Sequence, residues 1–191
     1  MDEELRSLTL RLRQESGAVP AFERLVATED VDALAGVLTA PGQQLWAREL
    51  AAFRLGLAGD RRAFEALVLL LNHRDPPRCA SAAYALARLG DPRTARAAAA
   101  LATNELRVAY ALHPVRLLVE LRAPEAVPAL ITTLRRRLRP HDPYRRVALA
   151  CVDGLGTLGD ARARPVLDEA LAHPVLAEAA VRALGRIPRQ R

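Results

Sequence analysis

Leucine and alanine recur along this chain three and four residues apart, the spacing that places apolar side chains on one face of a helix. The helical segments come in pairs, and the pairs repeat. Asp30, Asp60, Asp91, Ala123 and Asp160 hold one slot, separated by 30, 31, 32 and 37 residues. An Ala/Leu-rich segment precedes each slot from Asp60 onward, and another follows each. A period of this length built from two helical segments is the mark of a solenoid. The expected fold is all-α: a right-handed α-α superhelix of about six two-helix repeats, one array over residues 1–191.

Residues 2–16 read as a first helix, with Leu5, Leu8 and Leu12 on one face and Gly17 as its stop. Residues 18–28 read as its partner. This pair, within 1–28, is expected to cap the array, with Arg6, Arg13 and Glu15 making its outer face polar. Five repeats follow over 30–187, and 188–191 form a tail. Their helices are placed at 31–40 with 43–58, 61–72 with 77–89, 92–103 with 105–121, 125–138 with 143–158, and 161–172 with 175–186. Asp30, Asp60, Asp91 and Asp160 stand where a carboxylate caps the free N–H groups of a first turn. Pro92, Pro124 and Pro165 fall in first turns, where a missing donor costs little.

Aligning the repeats on the slot exposes columns. Leu55, Leu86, Leu118, Leu155 and Leu184 form one. Ala51, Ala82, Pro114, Cys151 and Ala180 form a second on the same helix face, so large and small residues alternate along an expected buried seam. Val37, Leu67, Ala98, Leu130 and Leu167 form the column of the first helices.

These residues resemble HEAT repeats of the phycobilisome-lyase subtype: LGDPR at 89–93 between AAYALARL and TARAAAAL, and LGDARARPVLDEAL at 158–171. The likeness covers roughly residues 30–187. It implies a fold much more than an activity. The third repeat departs from it, with Ala123 in the slot and Pro114 inside the second helix. Either a kink or a short helix at 105–112 with a restart at Pro114 is expected there.

The resemblance also implies that second helices line a concave surface. Their outward stripe reads Phe53 and Leu57, Tyr84 and Arg88, Arg116 and Glu120, Asp153 and Thr157, then Arg182 and Arg186, with Trp46 further back from Phe53 on the same stripe. Two readings of its aromatic end stand. Trp46 and Phe53 are anchors in a partner-binding groove, or they cover the joint between units. Asp153 is expected to pair with Arg116 or Arg182.

Charge adds a second candidate. The net charge is +6, and all 28 basic residues are arginine. This reflects either a codon bias or selection for bidentate contacts to phosphate and carboxylate. Arg135, Arg136, Arg137, Arg139, Arg145 and Arg146 cluster in the long repeat. They read as an anion-binding edge, or as solvated charges complementing a helix C-terminus. HEAT-like repeats also commonly pair a turn Asp with an Arg opening the second helix, as Asp75 with Arg78 and Asp142 with Arg145 or Arg146 would.

Other chemistry is not signalled. His73, His141 and His173 occupy corresponding turns, but stacked units about 8–10 Å apart keep His73 and His173 from sharing an ion. No metal or cofactor is expected. There is no P-loop, dinucleotide fingerprint or nucleophile elbow, so no enzyme is expected. Cys79 and Cys151 are too few for a disulfide framework. No segment reads as a signal or membrane span, so the expected compartment is the cytoplasm. The sequence thus points to a non-catalytic scaffold whose concave face binds a protein or peptide partner of acidic character. Nucleic acid held on the Arg-rich surface is the second candidate, and a bilin lyase-like chaperone, implied by the resemblance alone, is the third.

Overall fold

The computed structural model describes residues 3–17 and 19–188; the positions expected at 1, 2, 18 and 189–191 lie outside these. Every regular element among the described residues is helical. The chain divides into two compact units, 1–94 and 95–191.

The first unit opens with α1 (Glu3–Ser16) and α2 (Pro20–Ala27), followed by α3 (Val31–Thr39), α4 (Leu45–Leu57), α5 (Phe64–Leu71) and α6 (Pro76–Leu89). Helix α4 is its hub, packing on α1, α2, α3, α5 and α6. It buries Ala51, Ala52 and Leu55 outright, and α6 buries Ala82, Ala85 and Leu86 against it. The close approach of the two helices depends on Gly56: a methyl group there would stand 2.9 Å from the Ala85 Cβ.

Helix α7 (Arg93–Ala102) straddles the division. The second unit continues through a 3-10 segment, Glu105–Tyr110, into α8 (Leu112–Leu121), α9 (Ala126–Arg137), α10 (Arg145–Leu158), α11 (Arg164–Ala170) and α12 (Ala177–Arg186). Here α10 is the hub, in contact with α8, α9 and α12. Leu118, Leu130, Cys151, Leu155, Leu167 and Ala180 are all sealed from solvent. Burial holds the Cys151 thiol protonated, pushed up to about 12. Gly156 repeats the device of Gly56: a methyl there would lie 2.7 Å from the Ala183 Cα.

The columns are therefore core, with half-burial at their ends, Val37 and Leu184. The third repeat resolves as the restart. The 3-10 segment ends at Tyr110, and α8 begins at Leu112, so Pro114 falls in a first turn that needs no donor from it. One further departure appears at the residue before the last four slots. Gly59, Gly90 and Gly159 end their helices in the left-handed region, whereas Arg122 is forced there at φ 51°.

The slot aspartates cap as expected. Asp30, Asp60, Asp91 and Asp160 each accept from the backbone N–H two residues on, at 2.8–3.0 Å. In three of them an arginine at that second position folds back onto the same carboxylate, as Arg62 on Asp60, Arg93 on Asp91 and Arg162 on Asp160. The side-chain bonds from these guanidiniums lead in holding the three carboxyls below the usual range. Arg62 also reaches Asp32 at 2.8 Å, and Arg93 reaches Glu65 at 3.3 Å, so a turn is tied to the first helix of the preceding repeat.

Candidate binding site

The expected stripe divides into residues that the fold hides and residues that it presents. Trp46 and Phe53 are corrected from surface anchors to core. Phe53 is fully enclosed, and Trp46 packs on Phe22 of α2 with ring centroids 5.7 Å apart. The reason is the cap: α1 and α2 lie on α4 and cover a face that would otherwise be open. Leu57 is half-buried at the end of α4.

From Phe53 outward the first unit builds a layered stack. The Tyr84 ring lies parallel to the Phe53 ring, 5.9 Å away and tilted by 6°. The Arg88 guanidinium lies over the Tyr84 ring at 3.3 Å from its centroid, and it donates to the Tyr84 carbonyl oxygen at 3.0 Å. Arg88 is therefore an exposed cation held on a rigid aromatic base.

In the second unit the stripe opens into a shallow depression of about 380 Å³ between α8 and α10. Leu112, Val119 and Leu149 supply apolar lining, and Arg116, Arg146 and Asp153 stand at its rim. All three charged residues are exposed. Among the described residues Arg116 and Arg146 have no carboxylate partner, and the expected bridge from Asp153 to Arg116 or Arg182 does not form. Arg182 pairs instead with Glu178 one turn back along α12. Arg186 is exposed at the end of that helix. The two free guanidiniums are felt locally. Burial, then Arg116 and Arg146, push the His113 imidazole below its ordinary value, so His113 is neutral at pH 7.

The Arg-rich edge also divides. Arg137 is largely buried and pairs with Asp142 at 3.0 Å, its guanidinium 5.6 Å from the Tyr144 ring centre. This corrects the expected pairing of Asp142 with Arg145 or Arg146. Asp142 also caps the backbone N–H of Tyr144, which tightens the turn before α10. Arg136 bonds the Thr103 carbonyl oxygen at 2.7 Å and Glu105 at 3.0 Å. Arg137 and Arg136 are thus structural cations rather than free ones. Arg135, Arg139, Arg145 and Arg146 are exposed. Arg139 and Arg145 share a depression of about 490 Å³ with His141 and His173 at the turn edge. Asp75 with Arg78 forms the expected turn pair at 3.4 Å.

Sequence reasoning passed over one cluster. Glu49 lies in α4 at 1% exposure and accepts from Arg11 of α1, Arg78 of α6 and the Ser81 hydroxyl. Arg78 bonds Glu15 as well. A buried charge with every lone pair engaged is a structural joint between cap and repeats. Its signal was the one acidic residue of α4, whose other residues are apolar, glycine or arginine.

Residues 147–173, most of α10 and all of α11, match the family model for the PBS lyase HEAT-like repeat. With the all-helical pairs around it, the match supports a HEAT-like repeat protein. No curated protein matches the chain. Among the described residues no helix is long and apolar enough to cross a membrane.

Proposed function

We propose that the chain is a non-catalytic helical-repeat scaffold that binds an acidic protein or peptide segment along its second helices. The observation that carries this reading is the α8–α10 depression. Arg116 and Arg146 there lack carboxylate partners among the described residues and flank the apolar side chains of Leu112, Val119 and Leu149. A partner segment presenting a carboxylate beside an apolar residue meets both halves of that chemistry. In the first unit Arg88 lies exposed over the Tyr84 ring. Asp153, at the same rim as Arg116 and Arg146, works against a continuous phosphate track, which places nucleic acid second. The exposed pair Arg139 and Arg145 is what favours that second reading. The bilin lyase-like reading has only the family likeness behind it. A reducing cytoplasm suits two buried thiols that form no disulfide with each other.

Titration of a labelled acidic amphipathic peptide and a labelled DNA duplex against the chain separates the readings. The peptide is expected to bind, and Arg116→Glu with Arg146→Glu to weaken it at least tenfold. Duplex binding that exceeds peptide binding and falls steeply with salt would hand the function to nucleic acid.

A further inference from the structure

His141 stands where its turn calls for glycine. The Asp142 N–H donates to the Arg139 carbonyl oxygen at 3.3 Å, with Pro140 and His141 between them. Pro140 at the second position and a φ of 59° at His141 make this a type II turn, whose third position favours glycine or asparagine. His141 lines the depression of about 490 Å³ enclosed by this turn, the start of α10 and turn 173–176. The depression lies between two successive interhelical turns, not beyond the last one. On its far side the His173 carbonyl oxygen accepts from the Leu176 and Ala177 N–H groups, both at 2.8 Å, which holds that turn in place.

The lining is cationic. Arg139 and Arg145 contribute to it, and among the described residues neither guanidinium has a carboxylate partner or a hydrogen bond. The imidazoles of His141 and His173 stand beside them, likewise unbonded among the described residues. The one carboxylate of the lining, Asp142, is already engaged: it pairs with Arg137 at 3.0 Å and accepts from the Tyr144 N–H at 2.9 Å. Arginines that serve the fold, such as Arg62, Arg93 and Arg162, each close on a carboxylate. Buried Leu176 and exposed Val175 add an apolar flank.

Donors offered from three segments suit a ligand that accepts from several directions. A carboxylate is planar, and a single guanidinium fork satisfies it. A phosphate monoester carries a charge of about −2 at pH 7 on three strongly accepting oxygens. The volume also falls within the range of small-ligand sites, about 300–1,000 Å³. We propose that this depression binds a small organic phosphate monoester. Its phosphate is held by Arg139, Arg145, His141 and His173, and its organic part lies on Leu176 and Val175. The site shares no residue with the α8–α10 depression, so it stands independently of peptide binding there.

Phenyl phosphate, titrated calorimetrically against the full chain, is the probe. It is expected to bind, and benzoate to bind at least tenfold more weakly. Arg139→Ala and Arg145→Ala are each expected to weaken phenyl phosphate at least fivefold. Arg135→Ala, which removes an exposed cation outside the depression, is expected to change it less than twofold. His141→Gly supplies the residue that the turn favours, so it is expected to weaken binding at least threefold without lowering the melting temperature. Absent binding, benzoate held as tightly, or equal losses from Arg135→Ala and Arg145→Ala would overturn the proposal. So would a His141→Gly chain that binds unchanged, or that loses binding only together with stability. A DNA duplex that binds more tightly than phenyl phosphate, and weakens in the same two arginine variants, would also overturn it and give the depression to nucleic acid.

Discussion

Glu49 and Arg78 form a buried ion pair that joins α4 to α6, and Arg11 of α1 closes on the same carboxylate. Three helices of the first unit thus converge on one anion. Removing Glu49 leaves the Arg11 and Arg78 guanidiniums without the carboxylate between them, whereas removing Arg78 leaves a buried carboxylate held only by Arg11 and Ser81. Glu49→Ala is expected to cost about 3–5 kcal/mol in urea denaturation, and Arg78→Ala a comparable amount. A Glu49→Ala change of less than about 1 kcal/mol, the scale of a surface pair, would show that the cluster adds little.

Two glycines make a matched comparison. Gly156→Ala drives a methyl into the α12 backbone at Ala183 and is expected to destabilise by about 1–3 kcal/mol. Gly36→Ala, in the exposed middle of α3 with nothing within 4 Å, is expected to stabilise by about 0.5–1 kcal/mol. Thermal melts of the two variants should move in opposite directions.

Arg122 occupies the left-handed position that glycine fills before Asp60, Asp91 and Asp160. Arg122→Gly is expected to raise stability by about 1 kcal/mol, because relief of the strained φ outweighs the added freedom of the unfolded chain. A lowered melting temperature would mean that the arginine side chain contributes more than its backbone costs.

Asp60, Asp91 and Asp160 titrate below their ordinary value, so the unfolded chain binds their protons first as pH falls. Their contribution is complete above about pH 5 and is lost as pH drops through the folded values. Melting temperature should therefore fall between pH 5 and pH 3 by these groups' share. Asp91→Asn should flatten that slope while lowering the plateau above it.

His113 titrates low because of burial, Arg116 and Arg146. Its neutral form is favoured by folding, so its share of stability is full above about 6.5 and declines as pH falls towards the folded value. Arg146→Ala removes one of the two charges and is expected to raise the His113 titration midpoint followed by NMR. A midpoint that does not move would mean that the guanidinium is not held near the ring.

The leucine columns were legible because burial in a repeat follows spacing alone. Leu55, Leu86, Leu118 and Leu155 needed no knowledge of the tertiary arrangement to be placed inside. Trp46 and Phe53 were not legible in the same way. Their phase puts them on the outward stripe, and only the packing of α1 and α2 on α4, with Phe22 against Trp46, turns that face inward. Glu49 failed for a related reason: its partners Arg11 and Arg78 lie 38 and 29 residues away, beyond any helical spacing. The free cations of the α8–α10 depression were visible as stripe residues only in part. Arg116 lies on the stripe, but Arg146 was read as part of the Arg-rich edge, and it joins Arg116 because α10 packs on α8.

Cys151 gives the second unit a built-in clock. A sulfur that is wholly enclosed, and protonated until about pH 12, cannot be attacked by iodoacetamide while α10 stays packed. Each alkylated molecule therefore records one excursion in which the hub helix came loose. The rate at which that adduct accumulates in mass spectra, without any added denaturant, measures how often this half of the chain opens.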